Sequence, residues 1–267
     1  MKKFALFFAI RNIILITALA ISLAACEKVL APSSSFEVAR VGIYDASLLN
    51  QTALIKSSLN PSSSKDTHHF ALIGSIYDGA SLWRLGDQER LFNWRHQDQE
   101  SGILIASDFS PDGLWAISAQ THDMVLWSTQ NGSGERYWSA PSEILDVALA
   151  NQARFALLGL TDGNAVIFDI QKGGVLRTLE HSNRVRSVDL SDDGSVALSG
   201  SEDFSAIAWD VKTGQSLFTQ THKDDVQLVK LSPDGSIALS VSKYDSAKLW
   251  KTSSGKLIGE IPLKAEY

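Results

Sequence analysis

Among the side chains able to move protons, hold metals or attack substrates, the chain carries six histidines, thirty acidic residues and one cysteine. Asp66, His68 and His69 stand together, and a carboxylate beside two histidines can ligate zinc. Their spacing matches no metal-site pattern, and the stretch around them is polar. His96, His122, His181 and His222 recur along the chain, but no G-x-S-x-G elbow, phosphate loop or metalloprotease helix accompanies them. Asp78, Asp123, Asp162, Asp203 and Asp245 also recur. A ring of such carboxylates would bind a cation or a basic partner, whereas each alone caps its own tight turn. The turn cap is the expectation, and Asp162-Gly163-Asn164 lacks the remaining ligands of a calcium loop. No catalytic residue, metal or cofactor is therefore expected. Tyr77, Phe204 and Tyr244 stand beside those aspartates, and aromatic groups in polar surroundings are typical interface anchors. With Asp203, Asp245 and Arg184 they make the candidate interaction face.

The elements that must position these residues are repeats. Ser191-Asp192-Asp193-Gly194-Ser195-Val196-Ala197-Leu198-Ser199 returns 41 residues later as Ser232-Pro233-Asp234-Gly235-Ser236-Ile237-Ala238-Leu239-Ser240. A further copy of the turn is Ser110-Pro111-Asp112-Gly113, while the third repeat reads Ala150-Asn151-Gln152-Ala153 in its place. Aligned on an aromatic marker, the repeats end their third strands at Trp83, Trp127, Phe168, Trp209 and Trp250, about 41 residues apart. A period near 40 with four short strands per repeat predicts an all-β propeller. Five blades are clear. Residues 36–59 are expected to add an N-terminal strand that closes the ring or a partial sixth blade, with Tyr44 as a degraded marker.

The fourth repeat, with Glu180-His181, Ser199-Gly200-Ser201-Glu202-Asp203 and Trp209-Asp210-Val211-Lys212-Thr213-Gly214, resembles the WD-repeat family. The resemblance covers about residues 70–263, and periplasmic propellers of the TolB class are alternative relatives. It implies a buried network of histidine, serine, aspartate and tryptophan. Here His181, Asp203 and Trp209 take those positions, with Ser199 or Ser201 as the serine. In the fifth repeat His222 and Trp250 keep the spacing, while Asp245 is one place displaced. The third repeat lacks the histidine, and the first two are looser.

Lys2, Lys3 and Arg11 precede the apolar run 13–23, which is shorter than a membrane-spanning helix needs and has the layout of a secretory signal peptide. It ends in Leu23-Ala24-Ala25-Cys26, which resembles the bacterial lipobox. That implies removal of residues 1–25 and acylation of Cys26, which would leave no free thiol because the chain has no other cysteine. Residues 26–35 read as a short linker and 36–267 as the propeller. Glu27, in place of an aspartate, favours outer over inner membrane. Loss of Lys2, Lys3 and Arg11 would take the formal charge from −6 to about −9, which disfavours binding to nucleic acid. The expected function is a non-catalytic scaffold or assembly factor, lipid-anchored and facing the periplasm, whose partners are unnamed envelope proteins. The alternatives are a ligand-binding or hydrolytic propeller with its site in the central channel, and a structural protein touching peptidoglycan.

Overall fold

The computed structural model describes residues 43–51, 68–75, 79–86, 88–96 and 103–263. These residues form five antiparallel sheets of four strands, each sheet built from one stretch of chain in sequence order. The first contains β1 (Ile43–Gln51), β2 (His68–Ser75), β3 (Gly79–Arg84) and β4 (Glu89–Trp94). The second contains β5 (Ala106–Phe109), β6 (Trp115–Ala119), β7 (Asp123–Ser128) and β8 (Gly134–Ser139). The third contains β9 (Ile144–Leu149), β10 (Phe155–Leu160), β11 (Asn164–Asp169) and β12 (Gly174–Glu180). The fourth contains β13 (Val185–Leu190), β14 (Val196–Ser201), β15 (Ser205–Asp210) and β16 (Ser216–Thr221). The fifth contains β17 (Val226–Leu231), β18 (Ile237–Ser242), β19 (Ser246–Lys251) and β20 (Leu257–Pro262). The first strands pack in the series β1, β5, β9, β13, β17, so the sheets are the blades of a β-propeller.

Residues 1–42, with the signal segment, Cys26 and the linker, lie outside the described residues, as do Asp66, Tyr77 and Asp78. The N-terminal strand is placed differently from the expectation. β1 does not latch the last sheet or begin a sixth; it is the innermost strand of the first sheet, with Ser47 opposite Leu72 and Leu49 opposite Phe70. Its alternation decides this, because Leu49 packs into the core between the first and second sheets. Tyr44 is not a marker aromatic. It sits at a register shift in β1 and is exposed.

The apolar core is not a single mass. Four clusters lie between consecutive sheets: first and second, second and third, third and fourth, fourth and fifth. Each joins leucine, isoleucine or alanine from the forward face of one sheet to valine, alanine and the marker aromatic of the next. Trp115 is partly buried against the cluster of the second and third sheets. Fully burying a side chain of this kind contributes about 1.5–3 kcal/mol. Small residues in the second strands let the next sheet come close. A β-carbon added at Gly159 would stand 2.8 Å from the Val185 carbonyl oxygen of the following sheet.

The turns between first and second strands have their own hydrogen bonds. In the second sheet Ser110 Oγ donates to Asp112 Oδ1 and accepts the Trp115 amide, while Gly113 takes the left-handed conformation that its missing β-carbon permits. The third sheet has no glycine there, and Gln152 and Ala153 both adopt positive φ. Neighbouring turns hold them. Gln152 N donates to Asp112 Oδ2 of the second sheet, and Asn151 N donates to the Asp192 carbonyl of the fourth.

Gly159→Val should lower stability by about 1–3 kcal/mol, because the backbone oxygen it meets belongs to a paired strand and cannot retreat. Chemical denaturation measures this, and an unchanged midpoint would contradict the packing described.

Candidate interaction face and the frame beneath it

Loops between the second and third strands gather on one face of the propeller. Phe204, between β14 and β15, is 46% exposed and held at φ 71°. Tyr244, at the equivalent place between β18 and β19, is 61% exposed, with Lys243 Nζ 4.9 Å from its ring centre. Arg184 is exposed on the loop leading into β13. Asp203 and Asp245 behave differently from their aromatic neighbours. Their side chains are only 11% and 9% exposed and turn inward to histidines, so they brace the face from beneath instead of contributing to it.

In the fourth sheet the bracing is a directed chain. Trp209 Nε1 donates to Ser199 Oγ at 2.8 Å, and Ser199 Oγ lies 2.7 Å from His181 Nε2. His181 Nδ1 is 2.9 Å from Asp203 Oδ2. A carboxylate only accepts, so Nδ1 carries the imidazole proton and Nε2 accepts the serine hydroxyl. Burial holds the His181 pKa below the usual histidine value, although Asp203 opposes this. Asp203 also accepts the Ser182 and Ser205 amides. Ser201 stands outside the chain: its hydroxyl donates to the Asn183 carbonyl and accepts the Asp203 amide, shaping the loop that presents Phe204.

Two other sheets repeat the arrangement in part. Trp250 Nε1 donates to Ser240 Oγ at 3.1 Å, and His222 Nε2 lies 2.7 Å from that hydroxyl. Asp245 is 3.6 Å from His222 Nδ1, beyond hydrogen-bond range, and shares its charge with Lys248 at 3.8 Å. In the second sheet Trp127 Nε1 and His96 Nε2 both meet Ser118 Oγ at 2.7 Å. His96 was not assigned to such a set from the sequence, because it stands 31 residues before its tryptophan instead of 28. The third sheet replaces the polar set with Leu158 and Phe168, both buried. In the first, Trp83 Nε1 donates to Ser81 Oγ of its own strand. Asp123 accepts Ser139 Oγ and Asp162 caps the Asn164 amide, so both serve local structure. His69 is exposed in β2.

A second group of charges went unnoticed in the sequence. Asp45, Asp108, Asp146 and Asp189, on the first four inner strands, converge with Lys230 of the fifth in the central channel. Each carboxylate reaches forward to the next inner strand. Asp45 accepts the hydroxyl and amide of Ser107; Asp108 accepts the Leu149 amide at 2.9 Å. Asp146 accepts the Val188 amide at 2.9 Å, and Asp189 accepts the Leu231 amide at 2.7 Å. Burial raises the pKa of Asp108 to about 7 and of Asp146 to about 6, with Lys230 pulling the other way. The Lys230 ammonium, 3.6 Å from Asp189 Oδ1, is held well above the ordinary lysine range, chiefly by Asp189. Its side chain is 48% exposed. A cavity of about 180 Å³ opens at the channel mouth on the turn side, lined by Leu48, Phe109, Leu149, Leu190 and Leu231 among others. The signal was present in the repeats, as Asp108-Phe109-Ser110, Asp189-Leu190-Ser191 and Lys230-Leu231-Ser232.

Comparison with known families matches residues 173–210 to the WD domain, G-beta repeat. The match runs from the outer strand of the third sheet through the third strand of the fourth, so the stretch similar to a WD repeat spans two blades and includes His181, Ser199, Asp203 and Trp209. No curated protein matches the chain.

The histidines give a direct test. Burial lowers the pKa of His96 and His222 to about 4 and holds that of His181 below the ordinary histidine value. Groups neutral in the fold contribute stability above an unfolded pKa of about 6.5 that is lost as pH falls toward the folded value. Asp45, Asp108 and Asp146, with raised pKa values, act in the opposite sense, losing stability as pH rises through theirs. The histidines are therefore best followed singly by NMR. The His96 and His222 rings should titrate near 4, and midpoints near 6.5 would contradict the buried networks.

Proposed function

We propose that this propeller is a non-catalytic scaffold in the cell envelope, binding another protein through the loop face that carries Phe204 and Tyr244. The observation that carries the reading is the division of labour on that face. Its carboxylates and histidines are consumed in the frame, while two large aromatic side chains on equivalent loops are left in water with Arg184 nearby. Aromatic and arginine side chains are the usual anchors of interfaces, and WD repeats generally mediate protein–protein interaction. Leu23-Ala24-Ala25-Cys26 supports a lipid anchor at Cys26, with the propeller held near the membrane on the periplasmic side by the short linker. Glu27 favours the outer membrane.

The channel supports a ligand-binding reading less well. Its four carboxylates are hydrogen-bonded to backbone amides or hydroxyls and share an internal lysine. Their chemistry is thus spent on joining sheets.

Crosslinking and affinity capture from whole envelopes tests the proposal. The Phe204→Ala, Tyr244→Ala double variant should fold, since exposed positions change stability by about 0.5 kcal/mol or less. It should capture the partner at least tenfold less well if each side chain contributes about 2 kcal/mol. Undiminished capture by the folded double variant would overturn the face. In the same preparations Cys26→Ser should take up no labelled fatty acid, and unchanged labelling would overturn the anchor.

A further inference from the structure

The fifth sheet departs from the other four at every place where a blade grips its successor. In the second strands the residue facing the next inner strand is Gly74, Ala119, Gly159 or Gly200. A β-carbon at Gly200 would stand 2.7 Å from Val226 and Val229 of the following sheet. The equivalent residue of the fifth sheet is Val241, paired with Leu228 as Gly200 is with Ser187. In the third strands Leu82, Leu126, Ile167 and Ala208 are covered by the next sheet, whereas Leu249 is 37% exposed.

The outer strands show the same break. Opposite those four residues stand Phe92, Arg136, Arg177 and Phe218. The Phe92 ring lies against Gly132 of the next sheet, and Phe218 lies against Gly255. Arg136 donates to the Gln171 carbonyl at 2.7 Å, and Arg177 Nε donates to the Val211 carbonyl at 3.1 Å. Opposite Leu249 is Gly259, with open space around it. In the channel the series of forward carboxylates ends as well, because the fifth inner strand carries Leu228 and Lys230 where its predecessors carry an aspartate. Among the described residues no apolar cluster joins the fifth sheet to the first.

We infer that the ring is split by design between the fifth and first sheets, and that it opens there while its other four interfaces stay closed. Three changes of residue, at Leu228 and Lys230 in the channel, Val241 in the second strand and Gly259 at the rim, remove the same function at one interface and leave Leu249 between them uncovered. Across the split the channel offers only the attraction between Lys230 and Asp45, and among the described residues no hydrogen bond joins the two inner strands. A ring that opens on one side gives the scaffold an adjustable diameter without breaking any strand pairing.

Spin-label distance measurements test this on the full chain, with Cys26→Ser so that only the introduced cysteines carry labels. Ser254→Cys with Gln88→Cys spans the split, and Lys172→Cys with Lys212→Cys spans the third and fourth sheets; all four positions are exposed. The reference pair should give one narrow distance distribution. The pair across the split should give a broader one with a longer component that grows in dilute urea. Arg177→Ala should broaden the reference pair and leave the other unchanged. Equally narrow distributions for both pairs would overturn the inference, as would opening at the reference interface first.

Discussion

The rest of the propeller depends on how its inner strands satisfy their open edge. A four-stranded blade leaves one edge of its innermost strand facing the axis, with amides that no ladder partner reaches. An unpaired buried amide costs about as much as a lost hydrogen bond. Here the preceding blade supplies the acceptor, as Asp108 does for Leu149 and Asp189 for Leu231. One side chain thereby meets a local need and fixes the angle between two sheets. The arrangement gathers negative charge on the axis, and Lys230 is the internal cation that limits its cost.

The polar chains from tryptophan to serine to histidine do a second job farther out. They tie the third strand to the second and to the loop from the preceding blade, so the loop face is stiff where the set is complete. Around Phe204 it is complete; around Tyr244 the aspartate has moved away from His222 toward Lys248. The two aromatic anchors thus rest on supports of different rigidity, one tightly held and one freer to adjust to a partner.

The fold was legible in the sequence because its signals are local and repeated. The Ser-Xaa-Asp-Gly turns and the marker aromatics state the period, and each occupies the turn or third-strand end it implies. What the sequence hid depends on relations between repeats. Asp108, Asp189 and Lys230 precede the same turn, but Ala148 and the change to lysine interrupt the series, so the channel position is plain only once the ladders show that these residues share one register. The network role of His96 was missed because its spacing to Trp127 is 31 residues instead of 28. Asp203 was read both as a member of the buried network and as part of the face, and Asp245 as part of the face; both turn inward, because their histidine partners come from the end of the previous repeat. β1 lacked a marker aromatic and a glycine turn, and only its pairing with β2 places it.

The central claim is that carboxylates of one blade protect the open inner edge of the next. Amide hydrogen exchange at Leu149, Val188 and Leu231 measures this directly, in the parent and in Asp108→Ala. The account predicts that all three amides are protected in the parent, and that the variant, still folded, loses protection at Leu149 while Val188 and Leu231 keep theirs. Fast exchange at these amides in the parent, or full protection of Leu149 without Asp108, would contradict it.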